Sequence, residues 1–132
     1  MRIPCWQAAV QFRFDIPLEP KHQTFMDKVW CAAESGADGS GGGRYNPLGT
    51  TLELPGSTPL AGNTAGVQNY RSRLDGVHAH IATLGATEYR PILTELRKGN
   101  PDYTRVCNLI GASRWGTDAG LLLRLCKQYG LE

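Results

Sequence analysis

Apolar positions recur at helical spacing over most of the chain. Phe25, Met26, Val29, Trp30 and Ala33 fall one, three, one and three residues apart. With 3.6 residues per turn, that places them on one face of a helix. Pro20 suits its first turn, where a missing N–H costs nothing, and Gly36 suits its end. Leu74, Val77, Ile81 and Leu84 share a second face, behind a capping box of Ser72 and Asp75 and ahead of Gly85. Thr87 is placed to cap a third helix carrying Tyr89, Ile92, Leu93 and Leu96, which stops at Gly99. Asn100-Pro101 reads as the cap of a fourth, with Tyr103, Val106, Cys107, Leu109 and Ile110 inward. Thr117 is placed to cap a last helix through Leu121, Leu122, Leu125 and Tyr129, ended by Gly130. Near the start, Pro4 to Phe14 carries Trp6, Ala9, Val10 and Phe12 in a poorer period and reads as a short helix.

The middle breaks this rhythm. Residues 44–70 hold Pro47, Pro55, Gly56 and Pro59. Thr50 to Leu54 and Val67 to Tyr70 are short extended pieces around turns, which predicts a small hairpin or irregular lobe. The run Ala37 to Gly43 (ADGSGGG) reads as a flexible loop. An interdomain linker is excluded there, because the residues before it are too few to hold a core. The expectation is one domain over residues 1–132, α+β in class, mainly α with a small β-like lobe.

Composition narrows the function. The chain has 132 residues, 41% of them hydrophobic and 20% charged, which excludes a disordered segment. Fourteen Lys and Arg against twelve Asp and Glu leave +2, too little for a dedicated nucleic-acid binder. A mildly basic domain still suits an anionic polymer such as a cell-wall glycan. No apolar run approaches a membrane span, and no signal-peptide apolar region follows Met1. Cys5, Cys31, Cys107 and Cys126 have no metal-ligand spacing with one another or with His22, His78 and His80. Neither a metal nor another cofactor is expected. Cys31 and Cys107 read as buried, reduced thiols, with disulfides left open. The two histidines His78 and His80 cannot share a metal on a helix and are expected at the surface or half-buried. The glycine loop lacks the Gly-Lys-Ser/Thr of a phosphate-binding P-loop.

The sharpest chemical feature is Ala33-Glu34-Ser35-Gly36. Glu34 closes a strongly apolar helix, where the macrodipole opposes a negative charge and a nearby Trp30 removes water. Both effects raise a carboxyl pKa, as a general acid for glycosidic oxygen requires.

Glu34-Ser35-Gly36 resembles the motif of lytic transglycosylases and related lysozyme-like enzymes. Further along, Tyr45-Asn46-Pro47-Leu48-Gly49-Thr50-Thr51, Pro55-Gly56-Ser57-Thr58 and Asn63-Thr64-Ala65-Gly66-Val67-Gln68-Asn69-Tyr70 follow in order. Together with Ser113-x-Trp115-Gly116-Thr117, they resemble a lysozyme-like peptidoglycan-degrading domain of actinobacterial phages and their hosts. The resemblance covers roughly residues 25 to 117 and implies cleavage of the glycan strand of peptidoglycan. It implies Glu34 as the catalytic acid/base. It implies Asn46, Thr50 and Thr51 on one side of a glycan cleft, Asn63, Gln68, Asn69 and Tyr70 on the other, Ser35 as a further substrate contact, and Tyr45 and Tyr70 packed on sugar faces or orienting Glu34. Trp115 reads as a core or corner residue that can also floor the cleft, and Arg71 and Arg73 as a solvated face. Two departures stand out: the loop after Glu34 is longer, and neither Asp38 nor Glu53 is fixed as a second carboxylate. One carboxylate alone tilts the expectation toward transglycosylase-like chemistry. The partners implied are peptidoglycan strands and, for a virion component, other phage proteins, with no nucleic acid and no membrane. Synthesis in the host cytoplasm and action at the cell wall follow from the same resemblance. The alternative is a lysozyme-like module of a phage tail or baseplate that holds glycan without cutting it.

Overall fold

The computed structural model describes residues 6–132. Helix α1 spans Trp6–Arg13, so the expected start at Pro4, together with Cys5, lies outside the described residues. Helix α2 runs unbroken through Pro20–Thr24, Phe25–Cys31 and Ala32–Ser35, with Pro20 in its first turn. Its central seven residues are π-helical, bonded i→i+5. The remaining helices are α3 (Arg73–Leu84), α4 (Arg90–Leu96), α5 (Tyr103–Ala112) and α6 (Ala119–Gln128). A single 3₁₀ turn, Thr87–Tyr89, leads into α4.

The Ser72 capping box forms as expected, its hydroxyl accepting from the Asp75 N–H at 3.1 Å. Three other caps differ. Ala86, with no side-chain bond, precedes the 3₁₀ turn in place of Thr87. Asp102 caps α5 in place of Asn100, accepting from the Arg105 N–H, and Asp118 caps α6 in place of Thr117, accepting from Gly120. Asp and Asn rank together as caps, so spacing alone does not choose between neighbouring candidates.

The lobe holds two strands, β1 (Thr58–Pro59) and β2 (Gln68–Asn69), antiparallel with Thr58 opposite Asn69. Thr50 to Leu54, expected to be extended and paired, forms no strand. Its N–H groups go to side chains instead: Thr50 to Asn46 Oδ1, Leu52 to Thr50 Oγ1 and Leu54 to Ser57 Oγ. Two paired residues per strand cannot hold a lobe alone. Side-chain amides do that work here, as when Asn46 Nδ2 donates to both the Thr50 and Gln68 carbonyls at 2.8 Å.

The glycine loop is stitched down rather than loose. The Gly41 N–H donates to the Ser35 carbonyl at 2.8 Å. Gly43 is buried, and a Cβ on it would collide with the Gln68 carbonyl, so only glycine lets the loop approach the lobe this closely.

The core forms around the π-helical stretch, where Phe25, Met26, Val29, Trp30 and Cys31 are all at most 1% exposed. Aromatic contacts carry this core outward: Tyr103–Phe25 at 5.4 Å, Trp30–Trp115 at 5.3 Å and Trp115–Tyr89 at 5.3 Å between ring centroids. Each large side chain so buried contributes about 1.5–3 kcal/mol. Cys107 and Cys126 are buried thiols that meet across α5 and α6, sulfur to sulfur, at 3.4 Å. Among the described residues no helix is long and apolar enough to cross a membrane, and no cluster of His, Cys, Asp and Glu can hold a metal.

Candidate active site

The turn Pro47–Leu48–Gly49 is held from several elements. Ser35 Oγ, at the end of α2, donates to the Pro47 carbonyl at 2.8 Å. His80 of α3 accepts the Leu48 N–H on Nε2 at 3.1 Å, and Trp115 Nε1 donates to the Leu48 carbonyl at 2.7 Å. Gly49 has φ +72°, which a residue with a Cβ adopts only with strain. A Cβ there would also stand 3.2 Å from Glu34 Oε2. The last turn of α2 therefore presses its carboxyl against a turn that cannot retreat.

Glu34 is half-buried at this junction. Thr117, just ahead of α6, donates its hydroxyl to Glu34 Oε1. Burial pushes the Glu34 carboxyl up to about 7, against a smaller downward pull from the Thr117 bond. Thr117 was expected to cap a helix. Because Asp118 takes that duty, the Thr117 hydroxyl is released to the glutamate.

His80 departs from its expected surface placement. It is 1% exposed, and burial lowers its pKa to about 4. A backbone N–H can only donate, so Nε2 is unprotonated and Nδ1 carries the proton to the Gly76 carbonyl at 2.6 Å. A neutral imidazole thus struts the turn to α3. His78, in contrast, is exposed.

The side chains assigned to glycan contact divide in two. Ser35, Asn46, Thr50, Gln68 and Tyr70 are each at most 3% exposed. Their polar atoms face inward: Gln68 Oε1 accepts from Ser57 Oγ, Thr50 Oγ1 meets Thr83 Oγ1 at 2.6 Å, and the Tyr70 hydroxyl donates to the Leu52 carbonyl at 2.6 Å. Direct sugar contact by these five is corrected to a scaffold role, because a short-stranded lobe needs its amides and hydroxyls for its own backbone. Asn69 is half-buried and accepts the Arg44 N–H, while exposed Asn63 closes its own loop through the Ala65 and Val67 N–H groups. Thr51 is exposed and Tyr45 half-buried. Asp38 caps its loop through Ser40, and Glu53 is exposed.

An open groove starts at Gly49. A small hollow of about 60 Å³, touching Gly49, Thr51 and Trp115, continues into one of about 330 Å³. The two share Thr51, Thr83, Tyr89 and Arg114. Glu34 is not among the residues lining either hollow; its Oε2 lies behind Gly49. A hollow of about 610 Å³, lined mainly by residues in and beside α4 and α5, does not touch this site. Sequence reasoning missed Arg114 and the roles of Gly49 and Thr117. The Tyr45-to-Thr51 and Ser113-to-Thr117 segments were their only signal.

No family model, curated protein or solved structure matches the chain.

Proposed function

We propose that the protein cleaves the glycan strand of peptidoglycan, with Glu34 as general acid and then general base. The observation carrying this reading is a carboxyl raised to about 7 by burial, held against the Gly49 turn at the head of an open groove. Such a group keeps its proton near neutral pH and can donate it to a leaving glycosidic oxygen. The same carboxylate then accepts a proton from the attacking hydroxyl. Thr117 fixes the carboxyl orientation through Oε1, so the proton-bearing oxygen is Oε2. Neither Asp38, tied into its own loop, nor exposed Glu53 is held opposite it, which favours attack by the sugar's own hydroxyl over attack by an activated water. The lysozyme-like resemblance supplies the substrate class.

The test is turbidity loss of purified actinobacterial cell walls, followed by mass analysis of the products. Wild type is expected to release fragments with 1,6-anhydro ends, and Glu34→Gln to release them at a rate lower by orders of magnitude while unfolding cooperatively at or above the wild-type melting temperature at neutral pH. Reducing ends in place of anhydro ends would make the enzyme a hydrolase. Intact walls that nonetheless retain the protein would replace the catalytic reading by the glycan-binding one.

A further inference from the structure

Away from Glu34, three neighbouring hollows along α4 and α5 share lining residues and form a basic trough, one end of which reaches Arg13 and Phe14. The central one, about 610 Å³, shares Arg90 and Thr94 with a hollow of about 290 Å³ and Arg105 with one of about 370 Å³. Arg90, Lys98 and Arg105 stand in the centre, and Arg13 and Arg97 line one end. Five of the fourteen basic residues of the chain thus border a single trough.

Of its two acids, Glu95 is fully engaged and Asp102 partly so. Glu95 is 4% exposed and accepts from the Asp102 N–H at 3.0 Å, with Lys98 Nζ at 3.0 Å and Arg105 Nε at 3.5 Å. Asp102 accepts from the Arg105 N–H as the cap of α5. The buried carboxylate therefore orients two cations whose remaining N–H groups stay open. Among the described residues, Arg90 has no acidic partner within salt-bridge distance. Five cations against two carboxylates, Glu95 and exposed Asp102, leave the trough with an excess of donors, which calls for a ligand made of acceptors. Its cations are spread over three hollows, which suits a chain rather than a compact ion. No exposed aromatic ring lines the central hollow, so it offers no platform for stacking bases.

We propose that this trough binds a linear phosphodiester chain lacking bases, with successive phosphates on Arg90, the Lys98–Arg105 pair and the Arg13–Arg97 end. The site is independent of Glu34 and would anchor the protein on a phosphate-bearing polymer.

Isothermal titration at low salt tests it, with synthetic poly(glycerol phosphate), inorganic phosphate and oligo-dT as probes. The expected result is saturable binding of poly(glycerol phosphate), much weaker binding of inorganic phosphate, and no preference for oligo-dT. Arg90→Gln should weaken the polymer about tenfold. Arg124→Gln, which removes the same charge from α6, should leave it unchanged. Thermal melting of both variants reports folding. Equal losses in the two variants would reduce the effect to net charge and overturn the site. So would wild type that fails to bind the polymer, inorganic phosphate binding as tightly as the polymer, or oligo-dT binding more tightly.

Discussion

Glu34 and Glu95 each sit in the last turn of a helix and each lose much of their contact with water. Burial raises the Glu34 carboxyl to about 7. Glu95 moves below the usual carboxylate range, first through the Asp102 N–H and then through Lys98. The difference lies in the donors and in how strongly burial acts at each site, foremost at Glu34 and secondary at Glu95. Glu34 has one neutral hydroxyl, from Thr117, whereas Glu95 has a backbone N–H, an ammonium and a guanidinium. Desolvation prevails at Glu34, where it is strong and donors are few, and hydrogen bonds prevail at Glu95, where it is weaker and donors are many. One arrangement suits a group that must hold and release a proton. The other suits a permanent charge that orders its neighbours.

The comparison breaks most visibly in wall cleavage. Glu34→Gln should lower the rate by ~10²–10⁴-fold, about 3–5 kcal/mol of barrier, because an amide cannot supply the proton. Glu95→Gln should leave the rate of the folded protein at the wild-type level. Equal losses in the two variants would mean that Glu34 has no special chemistry.

Stability against pH comes next. A carboxyl raised on folding stabilises fully below its unfolded value of 4.5, and that contribution is lost as pH rises through about 7. Glu34→Gln lacks the loss, so its stability relative to wild type should grow by about 3 kcal/mol across that window. His80 runs the other way. Lowered to about 4, it stabilises above 6.5, and that contribution is lost as pH falls through about 4. In wild type the two slopes oppose each other between pH 4.5 and 6.5, so urea midpoints there should stay nearly level while those of Glu34→Gln climb. Parallel curves for the two proteins would show that Glu34 titrates alike folded and unfolded.

Glu95→Gln sharpens the contrast from the other side. Replacing a buried, charge-assisted acceptor should cost about 1.5–3 kcal/mol in urea denaturation at neutral pH. A smaller loss than that of an exposed control such as Glu53→Gln would contradict the ordering role given to Glu95.

The smallest effect belongs to Thr117→Val. Its hydroxyl favours the ionised carboxylate, so removing it should raise the Glu34 midpoint further, by about one unit or less. A carboxyl-carbon NMR titration reads this directly, and a downward move would reverse the assigned donor.

Helices were legible wherever a face repeated, but the face that α3 turns inward was not: Leu74 is exposed, and Gly76, Ala79 and His80 are buried beside Leu84. Met26, Val29 and Trp30, and likewise Val106, Cys107 and Ile110, were placed inward by spacing and are buried at 1% or less. Burial of Cys31 and Cys107 was equally readable, since each lies on such a face. Strand pairing was not. Thr50 to Leu54 looks extended in isolation, yet Asn46 and Ser57 claim its N–H groups before a partner strand can. Reading Asn46, Gln68 and Tyr70 as glycan contacts treated polar residues in a loop as exposed. A lobe with so little strand must satisfy its backbone with exactly such side chains.

Local pattern, then, determined the mainly helical architecture, the inward faces of α2 and α5 and the presence of Glu34 at a helix end, because 3.6-residue periodicity and end signals act over a few neighbouring residues. Only the tertiary structure decided where that carboxyl points and what it meets. The π-helical stretch from Phe25 to Cys31 resets the angular phase of Ala32–Ser35, which a regular helical count does not register. The partners of Glu34 arrive from Gly49 and Thr117, and His80 reaches Leu48 across more than thirty residues. A pKa depends on water excluded and donors supplied at one point in space, and those come from segments that only packing brings together.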